Sequence, residues 1–253
     1  MFDFSAAKIM QYVLILPIIL LALSVHEASH GYIADKLGDP TAKSLGRLTL
    51  NPMKHLNIFG FLCMLFFHFG WANPVPVNAR YFKKPRRDMA LTSAAGPLSN
   101  VLLAIFFAIL LRLEIAVVSN FFAEDLYAAL TGSTASTAFN MLSVLCYMLY
   151  MGVLLNISLA VFNLIPIPPF DGSRIFYVFL PQKLYFYVMK YEQIIMVIIL
   201  LALWCVPFFS NLISSATGGL SRMVLWLFGL RNDSEATLTL NVMLGHLVTA
   251  LFA

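Results

Sequence analysis

Long apolar stretches, separated by shorter polar ones, run along most of the chain. A helix needs about 20 mostly apolar residues to cross a bilayer, so these stretches predict membrane-spanning helices. The first is expected at Ala6–Lys36, because Gly38-Asp39-Pro40 follows it and stops helical propagation. Three further spans are predicted at residues 89–111, 139–164 and 185–209. Residues 212–230 form either a fifth span or an interfacial helix, and the pattern of residues 237–253 predicts no particular element.

Four shorter stretches carry different patterns. Residues 58–71 are apolar but too short to cross a bilayer, and basic loops flank them, so we expect a re-entrant segment rather than a short spanning helix. The weak alternation of polar and apolar residues at 41–51 predicts a short strand or hairpin at the membrane surface. Two prolines predict an extended backbone at residues 73–78. Residues 113–138 hold acidic residues and no Lys or Arg, which predicts a loop outside the cytoplasm.

Composition places the chain among membrane proteins. Hydrophobic residues make up 60% of the 253 residues, charged residues make up 11%, and the mean hydropathy is +0.85. Nine of the sixteen Lys and Arg lie between Lys36 and Arg87, which predicts that these loops face the cytoplasm and the lipid headgroups. The expected fold is an all-α polytopic membrane protein, a helical transmembrane bundle with a re-entrant segment and a small membrane-associated β element.

The domain organisation is expected to be simple. We predict one integral membrane domain over residues 1–253, with a core at about 6–180 and C-terminal membrane helices at about 184–253. The apolar N-terminus is interpreted as a retained helix rather than a signal peptide, because no small-residue cleavage site follows it. The three cysteines are far apart without a CxxC pair, and we expect small buried hydrophobes. They are Cys63, Cys146 and Cys205.

Polar residues inside the first predicted helix indicate a metal site. His26 and His30 are four positions apart, so their rings project from one helix face and can reach a single ion. Glu27 lies beside them, where its carboxylate can take a proton from a metal-bound water, as in HExxH metalloproteases. Ionisable groups are costly in an apolar helix, which favours a functional role. The alternative is a solvated helix end that has left the bilayer.

A third ligand is expected where the third predicted span ends. Residues 163–174 read NLIPIPPFDGSR, and the three prolines break the helix. Because the first and third spans both run toward the cytoplasm, Asp171 is expected at a depth similar to that of His26 and His30. A carboxylate there completes a three-ligand site with an open position for water, as catalytic zinc requires. The alternative is that Asp171 caps the helix that follows it.

Five motifs occur in a fixed order along the chain: HEASH, GDPTAKSLGRLTLNP, NPVPVN, AAGPLSN and NLIPIPPFDGSRI. Together they resemble the site-2 protease family of intramembrane zinc metalloproteases, specifically its short prokaryotic-type members without a PDZ domain. The resemblance covers roughly residues 21–179. It implies hydrolysis of a peptide bond in or near a transmembrane segment, with one zinc ion held by His26, His30 and Asp171. Glu27 is then the catalytic general base.

Other polar residues carry weaker predictions. Asn163 is the candidate for stabilising the oxyanion, because a neutral donor near the metal meets developing charge without titrating. Asn156 lies on the same helical face, and an interhelical hydrogen bond is an equal alternative for either amide. We also hypothesise that residues 42–50 or 73–78 pair with an unwound substrate as an added strand. Three further histidines stand alone and are not expected to bind a metal: His55, His68 and His246.

The expected partners are a transmembrane protein or peptide substrate and the lipid bilayer, and no nucleic-acid-binding module is recognisable. The expected location is a prokaryotic cell membrane, crossed several times, with the active site opening toward the cytoplasm. The alternative is the membrane of a thylakoid or another organelle. Two other functions remain open. One is a metal-ion transporter that uses the His and Asp site, and the other is a non-catalytic membrane scaffold stabilised by the metal.

Overall fold

The computed structural model describes residues 6–57, 60, 73–181, 184, 187–188, 191, 194–195, 198, 207–231 and 234–252. All regular elements in these ranges are helical, and the ranges contain no β-strand. The α-helices are α1 Ala6–Lys36, α2 Thr41–Ser44, α3 Pro52–His55, α4 Pro85–Phe121, α5 Ala123–Thr131, α6 Thr137–Asn163, α7 Asp171–Phe176, α8 Pro207–Leu227 and α9 Glu235–Phe252. Single turns of 3-10 helix occur at Ala79–Tyr81 and Tyr177–Phe179.

Three helices of the described ranges are long and apolar enough to cross a membrane, namely α1 from Ile9 onward, α4 and α6. They confirm the prediction of a helical, multi-pass membrane protein. Most residues of the predicted span at 185–209 and of the predicted re-entrant segment at 58–71 lie outside the described residues. Helix α8 covers most of the stretch predicted as a fifth span or interfacial helix, and α9 forms in the tail that the pattern left unassigned.

Helix α1 has the predicted bounds, and its C-terminus shows why it stops there. Gly38 has a φ of +106°, a left-handed conformation that favours glycine. The Gly38 N–H donates to the Asp35 carbonyl at 3.1 Å, and the Asp39 N–H donates to the Ala34 carbonyl at 2.9 Å. This pair of hydrogen bonds is the Schellman arrangement, which satisfies the last carbonyls of a helix and turns the chain away from it.

Helix α4 is longer than the span predicted at residues 89–111. It contains 37 residues, and at 1.5 Å per residue this gives about 55 Å, well beyond the ~30 Å hydrocarbon core of a bilayer. The predicted loop at residues 113–138 is therefore wrong, because α4 continues to Phe121 and α5 follows almost at once. The prediction took acidic residues as a sign of solvent, but Glu114 is buried within α4 and only 7% exposed.

The predicted strand or hairpin at residues 41–51 is also wrong. Residues 41–51 contain residues that favour the starts and ends of helices, and these outweigh the weak alternation of polar and apolar positions. The Asp39 carboxylate accepts a hydrogen bond from the Thr41 N–H at 3.0 Å, which supports the first turn of α2. Gly46 ends that turn with a φ of +63°. Asn51 then caps α3 with its side chain.

The contacts of the chain divide it into two compact units. The first unit comprises residues 1–19, 102–156 and 218–253. Fully buried apolar side chains of α4, α6 and α9 form part of its core, and they include Leu111, Ile115, Phe139, Val153 and Met243. The second unit comprises residues 20–101 and 157–217. It contains both histidines of the motif, Glu27, residues 73–78 and Asp171, so the candidate site lies within it.

Candidate metal centre

Three side chains of metal-ligand type, His26, His30 and Asp171, meet in the second unit. The Oδ2 atom of Asp171 lies 3.1 Å from His26 Nε2 and 3.2 Å from His30 Nε2. One ligand atom from each residue lies within 4.8 Å of the other two. Both histidines are buried, whereas the Asp171 side chain is 20% exposed and gives the cluster an accessible side. The described residues contain no other group of three or more His, Cys, Asp or Glu in such an arrangement.

Helix α1 and the break after α6 bring these side chains together. Residues four apart share one face of α1, and the centroids of the two imidazole rings are 4.7 Å apart. Asp171 is the first residue of α7, which follows the proline-rich break at the end of α6. The chain folds back tightly at this break. A Cβ on Gly172 would lie 2.3 Å from the Leu164 carbonyl oxygen, so this position accommodates only glycine.

Hydrogen bonds to α4 set the orientation of both imidazoles. The Nδ1 of His26 lies 2.6 Å from Asn100 Oδ1, and the Nδ1 of His30 lies 2.7 Å from the Thr92 carbonyl oxygen. A carbonyl can only accept, so each Nδ1 carries a hydrogen and donates it. Asn100 is fully buried, and its Nδ2 donates to the Ala22 carbonyl at 3.4 Å, which fixes the orientation of the amide. Both Nε2 atoms are thereby left to act as ligands.

Neither of these two acceptors was predicted from the sequence. Asn100 could have been found, because a polar side chain inside a predicted span needs a partner and often marks a site. Thr92 contributes through its carbonyl oxygen, which every residue has, so no sequence signal identifies it. The AAGPLSN motif, which ends at Asn100, contributed to the family resemblance, but its asparagine was not predicted to contact the site.

Gly96 shows how close α4 comes to the cluster. A Cβ at this position would lie 2.4 Å from His30 Nε2 and 2.6 Å from His26 Cε1. Real Cβ atoms do not approach neighbours this closely, so any larger residue displaces the rings or the helix. The missing side chain at Gly96 therefore leaves the space that the two imidazoles occupy.

The arrangement of the ligand atoms fits a bound cation. With both Nδ1 atoms donating, each Nε2 presents a lone pair toward an oxygen of Asp171. Three acceptor atoms at this separation repel one another unless a proton or a metal ion lies among them. Ligands about 2.0–2.1 Å from a tetrahedral zinc ion are about 3.3 Å apart. The observed separations of 3.1 and 3.2 Å are close to that value.

Asp171 is ionised at neutral pH, which is the form that binds metal. Burial acts to raise the pKa of its carboxyl. When a proton rather than a metal ion lies among the three atoms, the hydrogen bonds and charge of the two histidines outweigh this effect and lower the pKa to about 2. A neutral carboxyl group would bring a proton into the cluster and lose one of its acceptor sites.

Glu27 is held by a backbone amide from another part of the second unit. Its Oε2 accepts a hydrogen bond from the N–H of Val75 at 2.8 Å. Val75 is buried, and it lies in the proline-containing stretch 73–78, which forms no helix or strand, as predicted. Glu27 directly follows His26 on α1. The hydrogen bond from Val75 restrains the orientation of its carboxylate.

Asn163 lies at the last position of α6, and its Nδ2 donates to the Leu159 carbonyl at 2.9 Å within the same helix. Asn156 is fully buried, and its Nδ2 donates to the Gly152 carbonyl at 2.8 Å in the same way. Neither contact is specific to a catalytic role, so the oxyanion role of Asn163 stays a prediction.

The remaining histidines and cysteine of the described ranges are not part of the cluster. The Nε2 of His55 donates to the Thr49 carbonyl at 2.8 Å, and the Nε2 of His246 lies 2.7 Å from Asn140 Oδ1. Cys146 is buried and free, as predicted. Three further residues fall outside the described ranges, namely His68, Cys63 and Cys205.

The hypothesis that a substrate adds a strand to residues 42–50 or 73–78 loses its basis. Part of the first stretch is helical, since α2 covers Thr41–Ser44. In the second stretch the N–H groups of Val75 and Asn78 already donate to the carboxylates of Glu27 and Asp39, respectively. The Asn73 N–H donates to the His55 carbonyl, so with two prolines and three engaged amides only the Val77 N–H is left for an added strand.

Comparison with known proteins identifies the family. The chain matches Peptidase family M50 over residues 14–205, about three quarters of its length. The protein belongs to peptidase family M50. This is the site-2 protease family, so the resemblance drawn from the five motifs is confirmed.

Two bacterial relatives illustrate the similarity. "Putative zinc metalloprotease YwhC" of Bacillus subtilis is 42% identical over 174 residues, which cover 69% of this chain and 71% of the relative. "Putative zinc metalloprotease Rip2" of Mycolicibacterium smegmatis is 29% identical over 166 residues, which cover 64% of this chain and 55% of the relative. No solved structure gives a significant match to the chain.

Proposed function

We propose that this M50 protein hydrolyses peptide bonds in or near transmembrane segments of membrane proteins at one zinc ion held by His26, His30 and Asp171. The observation that carries the proposal is the set of three facing acceptor atoms. Two imidazoles with engaged Nδ1 atoms and one carboxylate oxygen converge at 3.1 and 3.2 Å. Both relatives are named as zinc metalloproteases, and neither is named as a transporter, which favours hydrolysis over metal transport.

Each residue of the centre has a defined task in this proposal. Zinc supplies Lewis acidity when bound, which activates a water and polarises the scissile carbonyl. Glu27 accepts the proton of the attacking water as general base and passes it to the leaving amine. The buried pair of imidazoles and Asp171 provide three protein ligands, the number found in catalytic zinc sites, and leave a position for water and substrate. The exposed side of Asp171 provides the access.

Asn163 is our candidate for the group that stabilises the oxyanion. One hydrogen of its Nδ2 is used by the Leu159 carbonyl. An amide nitrogen carries two hydrogens, so the second remains for a substrate oxygen. A neutral donor of this kind strengthens its interaction as charge develops in the transition state.

We propose that the centre opens toward the cytoplasm. The three membrane-compatible helices support a multi-pass protein. Nine of the sixteen basic residues lie between Lys36 and Arg87, directly after the α1 motif and before the residues of α4 that contact it. Basic residues concentrate on the cytoplasmic side, which supports a cytoplasmic location for this end of both helices. The substrate is then a membrane protein whose scissile bond lies near the cytoplasmic face.

The decisive experiment replaces the base and keeps the metal ligands. In Glu27→Gln, zinc content measured by mass spectrometry should stay near one ion per chain, while proteolysis is lost. Cleavage is followed by quantitative proteomics of membrane-protein fragments in cells carrying either form. Glu124→Gln is the matched control, because it makes the same chemical change at an exposed residue of α5 that is not part of the cluster. Unchanged fragment patterns in Glu27→Gln would rule out the proposed mechanism.

A further inference from the structure

The stretch of residues 73–78, here called the strap, brings a backbone donor to Glu27. The N–H of Val75 donates to Glu27 Oε2 at 2.8 Å, and the other carboxylate oxygen, Oε1, accepts no hydrogen bond within the described residues. Hydrogen bonds to an ionised carboxylate are stronger than those between neutral groups. One oxygen of Glu27 is therefore restrained, and the other is left for the attacking water.

The strap is held close to both ends by charged side chains. The carboxylate of Asp39 accepts from the Asn78 N–H at 2.6 Å. The guanidinium of Arg47 donates through Nη2 to the Asn73 carbonyl at 2.8 Å and to the Pro74 carbonyl at 3.3 Å. Asp39 is fully buried, so its contact with the strap is shielded from water. The two contacts flank Val75 on either side.

Further contacts fix the strap against α1 and α3. The Asn73 N–H donates to the His55 carbonyl at 2.7 Å, at the end of α3. Val75 packs beside Gly31, one helical turn after Glu27, where an added Cβ would lie 3.2 Å from Val75 Cγ1. Pro74 precedes Val75 and Pro76 follows it, and their fixed φ angles limit the conformations of the strap. The Val75 amide is thus presented by a backbone restrained from several directions.

We propose that the Val75 N–H is a positioning group for the general base, and that Asp39 and Arg47 are positioning residues that hold the strap against Glu27. This inference rests on the proposed role of Glu27. Glutamate has three rotatable side-chain bonds, so a free carboxylate samples many orientations. The strap selects one of them before substrate arrives, which lowers the cost of reaching the reactive geometry. The zinc ligands contact α4 and each other, so loss of the strap contact leaves them in place.

Proline substitutions distinguish the role of the Val75 N–H from that of the rest of the strap. Val75→Pro removes the N–H that Glu27 accepts, and Val77→Pro removes an N–H that has no acceptor within the described residues. Both new prolines follow an existing proline, so the two variants restrict the preceding residue in the same way. Val75→Ala keeps the N–H and removes most of the buried side chain. The three variants distinguish loss of the donor from loss of strap stiffness or packing.

We expect Val75→Pro to lower kcat about 10-fold to 100-fold with KM and zinc content near wild type. Val77→Pro should keep kcat within about threefold of wild type, and Val75→Ala should lose less of kcat than Val75→Pro because it keeps the N–H. The kinetics use the full-length protein in micelles and a fluorogenic peptide containing one cleavage site found by the fragment proteomics. Equal loss of kcat in Val75→Pro and Val77→Pro, or a change confined to KM, would overturn the inference.

A second measurement does not depend on activity. In protein labelled with ¹⁵N-valine, Glu27→Ala should shift the Val75 amide proton upfield and speed its exchange with deuterium, while the Val77 amide stays unchanged. Arg47→Gln should speed exchange at Val75 with zinc content unchanged. A Val75 amide that is insensitive to Glu27→Ala contradicts the inference even if the protein proves to be a protease. If the Val75 amide responds to Glu27→Ala but the protein shows no proteolysis, the proposed function is refuted while the contact between Val75 and Glu27 stands.

Discussion

Replacing Gly96 by alanine tests how the metal centre is built. The new Cβ would lie 2.4 Å from His30 Nε2 and 2.6 Å from His26 Cε1. An unstrained contact between such atoms is about 3.5–4.0 Å. At least about 1 Å of displacement is needed, whereas ligand positions in metal sites tolerate only about 0.2 Å. We therefore expect zinc affinity to fall at least 10-fold to 100-fold and stability to fall by about 1–3 kcal/mol through overpacking.

Zinc affinity is measured by competition with a chromophoric chelator, and stability by thermal unfolding with and without added zinc. Gly245→Ala is the control, because Gly245 is an exposed residue of helix α9 and an added Cβ has nothing within 4 Å. That substitution should raise helix stability by about 0.5–1 kcal/mol and leave zinc binding unchanged. If Gly96→Ala bound zinc as tightly as the control, the close approach of α4 to the two rings would be disproved.

Three further predictions follow from the same contacts. Asn100→Ala removes the acceptor of His26 Nδ1 and should weaken zinc binding about 10-fold to 100-fold in the chelator competition; unchanged affinity would exclude this orienting role. Gly172→Ala places a Cβ 2.3 Å from the Leu164 carbonyl oxygen and should lower both the midpoint of thermal unfolding and the zinc content. A midpoint equal to that of the wild type would contradict the tight turn of the chain between α6 and α7. Zinc removal by a chelator should stop proteolysis, and zinc alone should restore it; activity that persists in the metal-free protein argues against a metal-dependent reaction.

The parts of the fold that the sequence predicted correctly depend on local signals. Helix α1 has its expected bounds because Gly38 supplies a left-handed residue directly after the apolar stretch. The proximity of His26 and His30 follows from helical periodicity, and the proline-rich break before Asp171 follows from the missing amides of proline. Each of these features depends on residues only a few positions away in the sequence.

The features that the sequence analysis missed depend on tertiary contacts. Glu114 looked like a loop residue, yet α4 runs through it and buries it. The alternation at residues 41–51 suggested a strand, whereas the buried carboxylate of Asp39 and the capping side chain of Asn51 favour short helical turns. The hydrogen bond between Val75 and Glu27 joins residues 48 positions apart, and neither residue type signals it. Such contacts become visible only in the folded units.

Helix α1 carries both the histidines proposed to bind the metal and the glutamate proposed to transfer the proton, and different neighbours contact the two. Its histidines contact α4, through Asn100, Thr92 and the space at Gly96, while Glu27 contacts the strap. Metal retention and proton transfer can therefore be impaired independently. A full-length protein altered only at the strap keeps every native side chain of the zinc centre and turns over slowly, which makes it a suitable trap for capturing an uncut membrane substrate by cross-linking or electron microscopy.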